Sequence, residues 1–197
     1  MRVTELFIKP RHDAPLQQAA AIACSPRGIA GGVSCAPFRQ ALIVSRAVTA
    51  ELGLEPGDLR ENIVVDCDDL YDLPSGTVVQ IGPARLRLTF HCEPCKKILH
   101  LIDFDRVLHR RGVFGMFLNE ARIALGDEFA VTEQRFEEIP YAINERLRWF
   151  LKKHGARGAA LDLVHTLGLP ASSGRTMPRL LSKLFGATPV AEAVAGE

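Results

Sequence analysis

The first 135 residues are a succession of short β-type runs separated by turn residues, and this spacing constrains the fold more than any other feature. Residues 3–8 alternate apolar and polar and stop at Pro10, and residues 41–44 are a short apolar run. Residues 62–66, 77–81 and 85–90 are β-branched or alternating, with Pro56-Gly57-Asp58, Pro74-Ser75-Gly76 and Gly82-Pro83 between them. Arg85, Arg87 and Thr89 fall on one face of such a strand and Leu86, Leu88 and Phe90 on the other, the pattern of a half-buried strand. Residues 113–118, 122–124 and 128–132 add strand or short-helix candidates around Gly126-Asp127. Ser45 is placed to cap a helix running to residue 52, with Gly53 to stop it. Many short strands and few helices predict a mainly β fold with α, a β-barrel or sandwich. No GxGxxG or GxxxxGK[ST] loop supports a Rossmann or P-loop reading.

After Pro140 the period changes. Ile143, Leu147, Phe150 and Leu151 fall on one face of a helix that Gly155 would end. A second helix is predicted over residues 160–167, then a Gly168-Leu169-Pro170 turn and a third helical stretch to Leu184, with Pro178 in its first turn. The domain reading is therefore a β-barrel domain over 1–135, a small three-helix appendix over 140–186, and a small-residue tail over 187–197 expected to fray.

Apolar residues make up 47% and charged residues 24%, enough to bury a real core. No run approaches the roughly 18 apolar residues that span a bilayer. MRVTELFIKP lacks the features of a signal peptide, so a cytoplasmic location is expected, without a membrane. The net charge is +1, yet residues 141–184 hold eight Lys and Arg against Glu145 and Asp162. That basic segment is either a solvated helix face or a nucleic-acid surface.

The five cysteines, Cys24, Cys35, Cys67, Cys92 and Cys95, have no disulfide-framework spacing and are expected to be reduced. The sharpest local feature is His91-Cys92-Glu93-Pro94-Cys95-Lys96-Lys97, at a strand end and the predicted start of a helix. Unpaired N–H groups of that helix and the adjacent lysines would favour a Cys95 thiolate. Three chemistries compete at this segment. A zinc site lacks a second ligand pair, although His91, His100 and His109 are near in sequence. A thioredoxin-like redox motif fits locally but follows some ninety strand-rich residues, and two buried structural thiols complete the set.

The wider series narrows this choice. Arg60-Glu61-Asn62-Ile63, Asp69-Leu70, Leu73-Pro74-Ser75-Gly76, Ile81-Gly82-Pro83-Ala84-Arg85-Leu86 and Glu93-Pro94-Cys95-Lys96 occur in that order. Arg111-Gly112-Val113-Phe114-Gly115 and Gly126-Asp127-Glu128 follow, while Arg27-Gly28-Ile29-Ala30-Gly31 and Phe38-Arg39-Gln40-Ala41-Leu42-Ile43 precede. Over residues 1–132 the series resembles MOSC domains, named for the C-terminal part of molybdenum cofactor sulfurase. The chain departs from the family pattern at Gly32, where many members carry an acidic residue.

The resemblance implies a MOSC-type β-barrel with a few helices that holds molybdenum cofactor (molybdopterin), a pterin dithiolene carrying a phosphate. It implies Cys95 as the cysteine that ligates molybdenum or carries a persulfide, since a soft thiolate suits that metal. Arg60 and Asn62 match a segment expected to contact cofactor, and Arg39 is expected at the phosphate or in a surface ion pair. Thr89 and His91 are expected to line the pocket, with Cys92 beside it.

Residues 168–180 resemble two further things: the small helical domain of MOSC proteins conferring hydroxylaminopurine resistance, and the helix-turn-helix of alkyltransferase-like proteins. The alkyltransferase PCHR motif is absent. The functional expectation is a molybdenum-dependent reductase of N-hydroxylated small molecules, fed by a separate electron-donor redox protein, or a handler of cofactor sulfur. The alternative is a non-catalytic cofactor or sulfur carrier with a nucleic-acid-binding helical tail.

Overall fold

Alternating apolar residues flanked by turn formers become strands close to where the pattern places them. A computed structural model of the chain describes residues 1–33, 36–154, 163–164, 166–167 and 173–185. Within these lie β1 (Val3–Ile8), β2 (Gln17–Gln18), β3 (Ala21–Ser25), β4 (Gly28–Ile29), β5 (Ala41–Ser45) and β6 (Ile63–Val65). Then come β7 (Thr77–Ile81), β8 (Ala84–His91), β9 (Val113–Phe117), β10 (Ala121–Ala124) and β11 (Phe129–Arg135). The helices are α1 (Arg46–Glu51), α2 (Phe104–Val107), α3 (Ile143–His154) and α4 (Ser173–Phe185). Two compact units result, Met1–Glu138 and Ile139–Glu197.

The first unit is mainly β. One mixed sheet has the order β11-β7-β8-β9-β5-β6-β1-β2, and β10-β3-β4 form a second. Only β5 and β6 pair in parallel, and α1 with its following loop supplies the crossover that parallel neighbours require. The expected barrel is a sheet whose β1 and β11 ends touch at the isolated bridge Arg2–Glu128. There Val3 N–H donates to Asp127 O at 2.9 Å and Phe129 N–H to Met1 O at 2.8 Å.

Strand alternation builds a core on each face of the sheet. Leu6, Ile43, Ile63 and Val65 join Leu86, Leu88 and Phe117 in the larger cluster. Their neighbours Phe7, Val44 and Val64 point the other way, into Val48 of α1 and Leu52 just after it, and into Ile98, Ile102 and Val107 of the segment after Cys95. That segment is therefore clamped to the sheet by three buried aliphatic side chains.

β8 departs from the half-buried pattern. Arg87 and Thr89 are buried as well as Leu86, Leu88 and Phe90, because flanking chain covers their face. Arg87 donates to Glu137 O at 2.6 Å and lies over the Phe136 ring at 4.9 Å. Thr89 Oγ1 lies 2.7 Å from Phe38 O and 3.1 Å from Phe114 O.

α1 starts where Ser45 predicts: its Oγ accepts from Val48 N–H, and Gly53 follows the helix at φ +73°. At the start of β9, Gly112 has φ +134°, and a Cβ there would meet Leu42 Cδ1 at 2.7 Å and Ile43 O at 2.9 Å. Only glycine fits this approach of the chain to β5.

In the second unit, Leu147, Leu163, Val164, Leu167, Met177 and Leu181 form the core. Arg146, counted among the basic residues in the sequence, is 0% exposed. Its guanidinium donates to Pro140 O (2.9 Å), Tyr141 O (2.7 Å) and Leu167 O (3.1 Å). Pro178 is not in the first turn of its helix, since α4 begins at Ser173 and contains it. Pro178 is exposed, and its ring nitrogen forgoes one hydrogen bond of the helix ladder. The predicted stop at Gly155, the Gly168-Leu169-Pro170 turn, most of the second helix and the 187–197 tail lie outside the described residues.

Candidate functional site

The end of β8 and the approach to β9 bring the cysteine segment against a buried arginine. Cys92 N–H donates to Gly112 O at 2.8 Å, which fixes His91 and Cys92 beside Arg111. Arg111 is 6% exposed, and its guanidinium donates to Glu93 O at 2.5 Å and to Cys95 Sγ at 3.2 Å. Its Nε has no hydrogen-bond partner. Of the four described cysteines, Cys24, Cys67 and Cys92 are buried and Cys95 alone is partly open.

The expected helix at Cys95 is absent. Instead Ile98 N–H and Leu99 N–H donate back to Cys95 O at 3.0 and 3.3 Å, and the next helix is the single turn α2. A run of turns projects no row of free N–H groups at the sulfur. The cation at Sγ is Arg111, while Lys96 and Lys97 face solvent.

Arg39 stacks its guanidinium over Phe114 at 4.7 Å, and Phe114 packs edge-on against Phe90 at 5.8 Å. It carries no ion pair among the described residues, so the surface-pair alternative is not realised. Burial pushes the Cys92 thiol up, against the opposing pull of the positive charges of Arg111 and Arg39. Arg39, Arg111, Cys92 and Cys95 thus form one electropositive thiol environment.

The other predicted residues divide. Thr89 is fully buried with its hydroxyl held between two backbone carbonyls, so it does not line a pocket; it joins β8 to the chain at Phe38. Asn62 has both ends of its amide engaged, Oδ1 accepting from Leu42 N–H at 3.0 Å and Nδ2 donating to Phe7 O at 3.3 Å. It holds β1 and β5 on either side of β6 and has little left for a ligand. Arg60 adopts φ +65° in the same loop, and its buried Nε has no hydrogen-bond partner. No contact joins Arg60 or Asn62 to Cys95 among the described residues.

His91 lies in the wall of a cleft of about 510 Å³, with Tyr71, His109, Asp68, Glu51 and Arg110. Its ring stands 6.2 Å from Tyr71 and 5.9 Å from His109. Arg110 closes one side by a two-pronged bond to Glu51, at 3.1 and 2.5 Å. The hydrogen bond and positive charge of Arg110 hold the Glu51 carboxyl below its usual range. His91 opens into this cleft while Cys92, next in sequence, packs toward Arg111. Sequence reasoning gave no site role to Arg111, Tyr71 or His109; the Arg110-Arg111 pair before Gly112 was the available signal for Arg111. Among the described residues there is no group of three or more His, Cys, Asp or Glu that could hold a metal ion.

Residues 33–130 match the sequence profile of the MOSC domain. The chain is a MOSC-domain protein. The family is associated with molybdenum cofactor sulfurase. Solved structures agree on the fold. YuaD from Bacillus subtilis is 18% identical, with a TM-score of 0.56, over 69% of this chain and 96% of its own. YiiM from Escherichia coli is 15% identical, with a TM-score of 0.55, over 95% of both chains. YiiM from Geobacillus stearothermophilus is 15% identical, with a TM-score of 0.56, over 91% of this chain and 98% of its own. No curated protein matches the sequence. Among the described residues no helix is long and apolar enough to cross a membrane.

Proposed function

We propose that this MOSC protein binds molybdenum cofactor with Cys95 as the thiolate that meets the metal, and reduces N-hydroxylated small molecules. The observation that carries the reading is the pairing of the one partly open described thiol with a buried guanidinium, Arg111 to Cys95 Sγ at 3.2 Å. A soft anionic sulfur suits molybdenum, and a phosphate-bearing cofactor calls for fixed cations. Arg111, with an unused Nε, and Arg39, without an ion pair among the described residues, offer them. Arg60, with its own unpartnered Nε, is the remaining candidate.

When bound, the cofactor would supply two-electron redox chemistry. The overall reaction breaks one N–O bond: two electrons and two protons enter, the amine is left, and the oxygen departs as water. In this chain Arg111 would fix the sulfur position, and the imidazoles of His91 and His109, which line the cleft beside Tyr71, would be the proton donors.

The test is molybdenum and pterin content of protein made in a cofactor-competent host, by elemental analysis and by fluorescence of the oxidised pterin. Near-stoichiometric molybdenum that falls in Cys95→Ala supports the assignment. No molybdenum in either protein refutes it.

A second reading concerns the helical unit. Arg175, Arg179 and Lys183 are exposed at successive turns of α4, opposite the buried Met177 and Leu181. Such a cationic stripe suits a phosphate backbone. An electrophoretic mobility assay with duplex DNA at low salt should show retardation that Arg175→Glu/Arg179→Glu abolishes; no retardation of DNA by the parent protein removes the reading.

A further inference from the structure

Resting on the reductase reading, we infer that the exposed segment after Cys95, presenting Leu99, Leu101 and Phe104 beside Lys96 and Lys97, is the docking surface for an acidic electron-carrier protein.

Seven large apolar side chains are exposed among the described residues, and three of them, Leu99 (40%), Leu101 (44%) and Phe104 (47%), fall within six positions of one another. Scattered exposed apolar residues are ordinary, whereas a cluster marks a contact surface. The cluster begins four residues after the candidate metal-binding thiol.

Nor is the segment a loose loop. Ile98, Ile102 and Val107 are buried in the cluster with Val48 and Leu52. Backbone bonds from Leu99 N–H to Cys95 O (3.3 Å), Leu101 N–H to Ile98 O (2.9 Å) and Ile102 N–H to Ile98 O (3.3 Å) fix the turns between them. Apolar side chains kept outward on an anchored segment need little ordering on binding, which lowers the entropic cost of a contact.

Charge selects the partner. Lys96 and Lys97 are exposed and have no ion pair among the described residues, and His100 is exposed beside them. No carboxylate occurs between Lys96 and Asp103. Asp103 and Asp105 flank Phe104, and Lys96, Lys97 and Arg106 outnumber them, so the patch is basic on the side nearest the thiol and complementary there to a carrier with carboxylates around its own exposed centre. Each N–O bond broken needs two electrons, which such a carrier delivers from its own cofactor and is left oxidised. Transient redox encounters bury roughly 1,200 Å² or less, a scale that a patch of this kind can meet.

The probes are a plant-type [2Fe–2S] ferredoxin and a flavodoxin, both acidic carriers, titrated by calorimetry into the full-length protein. At low ionic strength at least one should bind. Affinity should fall about tenfold in Leu101→Ser/Phe104→Ser and in Lys96→Glu/Lys97→Glu, and should weaken as salt shortens the reach of the charges. The apolar substitutions are at exposed positions, so molybdenum content and turnover with a small-molecule reductant should be unchanged. Failure of both carriers to bind, or binding indifferent to these substitutions, overturns the inference. Self-association of the parent protein that Leu101→Ser/Phe104→Ser abolishes makes a second copy the occupant and also overturns it. Molybdenum content separates the two readings: carrier binding without molybdenum refutes the cofactor assignment and not the docking surface, and molybdenum without sensitive carrier binding does the reverse.

Discussion

Replacing Arg146 with methionine removes a fully buried guanidinium while keeping most of its volume, so the change tests its polar contacts, three hydrogen bonds to backbone carbonyls among them, rather than opening a cavity. The acceptors are the carbonyls of Pro140, Tyr141 and Leu167, at 2.9, 2.7 and 3.1 Å. Hydrogen bonds from a charged donor contribute about 1.5–3 kcal/mol each, and a buried carbonyl left without a donor costs about 1–3 kcal/mol. The Pro140 and Tyr141 bonds are only partly buried, so water can replace the donor there; the Leu167 bond is buried and cannot be rehydrated so simply. Setting the relieved desolvation of the guanidinium against these losses leaves a net destabilisation of about 2–4 kcal/mol. A unit of about sixty residues holds roughly 3–9 kcal/mol in total, so the variant should bring this unit close to unfolding at 25 °C. Trp149, the protein's single tryptophan, lies in α3 of this unit. Urea unfolding followed by its fluorescence should show a midpoint lowered by roughly 2–4 M, for a slope near 1 kcal/mol/M. Arg146→Lys, whose single ammonium cannot span three carbonyls, should fall between the two. A loss below about 0.5 kcal/mol in Arg146→Met would refute the idea that these three bonds hold the unit together.

Two further outcomes follow from the β unit. Burial pushes the Cys24 thiol up to about 11 and the Cys67 thiol to about 12, and it raises Cys92 as well. In a Cys35→Ser background, iodoacetamide at pH 7.5 should therefore label the folded protein once, at Cys95, and four times after unfolding; rapid labelling of Cys92, mapped by mass spectrometry, would contradict the packing at Arg111. Burial also raises the Glu61 carboxyl above its ordinary 4.5, outweighing the bond it accepts from Gly57 N–H. The folded state then keeps this proton to higher pH than the unfolded state, so stability falls as pH rises from about 4.5 through the raised value. Denaturant midpoints should drop between pH 5 and pH 8, and Glu61→Gln should flatten that drop; an equal drop in both proteins would rule Glu61 out as its source.

The cysteine site was only half legible in the sequence. Cys95 stood out because a Pro-Cys-x-Lys segment follows a strand, but the source of its positive partner was misjudged. Residues adjacent in sequence, Lys96 and Lys97, turn to solvent, and Arg111, sixteen residues away, reaches the sulfur because β8 and β9 are neighbours. Asn62 shows what a segment alone leaves out: a polar residue that reads as a ligand contact also ties the sheet, accepting from Leu42 N–H and donating to Phe7 O. Thr89 reads as an outward strand residue until Phe38 is seen to cover it.

Local order is a property of neighbouring residues, and so the sequence by itself determined β1, β5, β7 and β8, the Ser45 cap and the apolar face of α3. Side-chain period and turn propensity act within a few residues, and nothing elsewhere in the chain overrode them. Tertiary structure alone decided which charges are buried. It carried Arg146 from the presumed basic surface into the helical core, set Arg111 against Cys95, and stacked Arg39 on Phe114. A guanidinium gains enough from carbonyls and sulfur to leave water only where chain far away in sequence happens to place them. No periodicity within the sequence records that meeting.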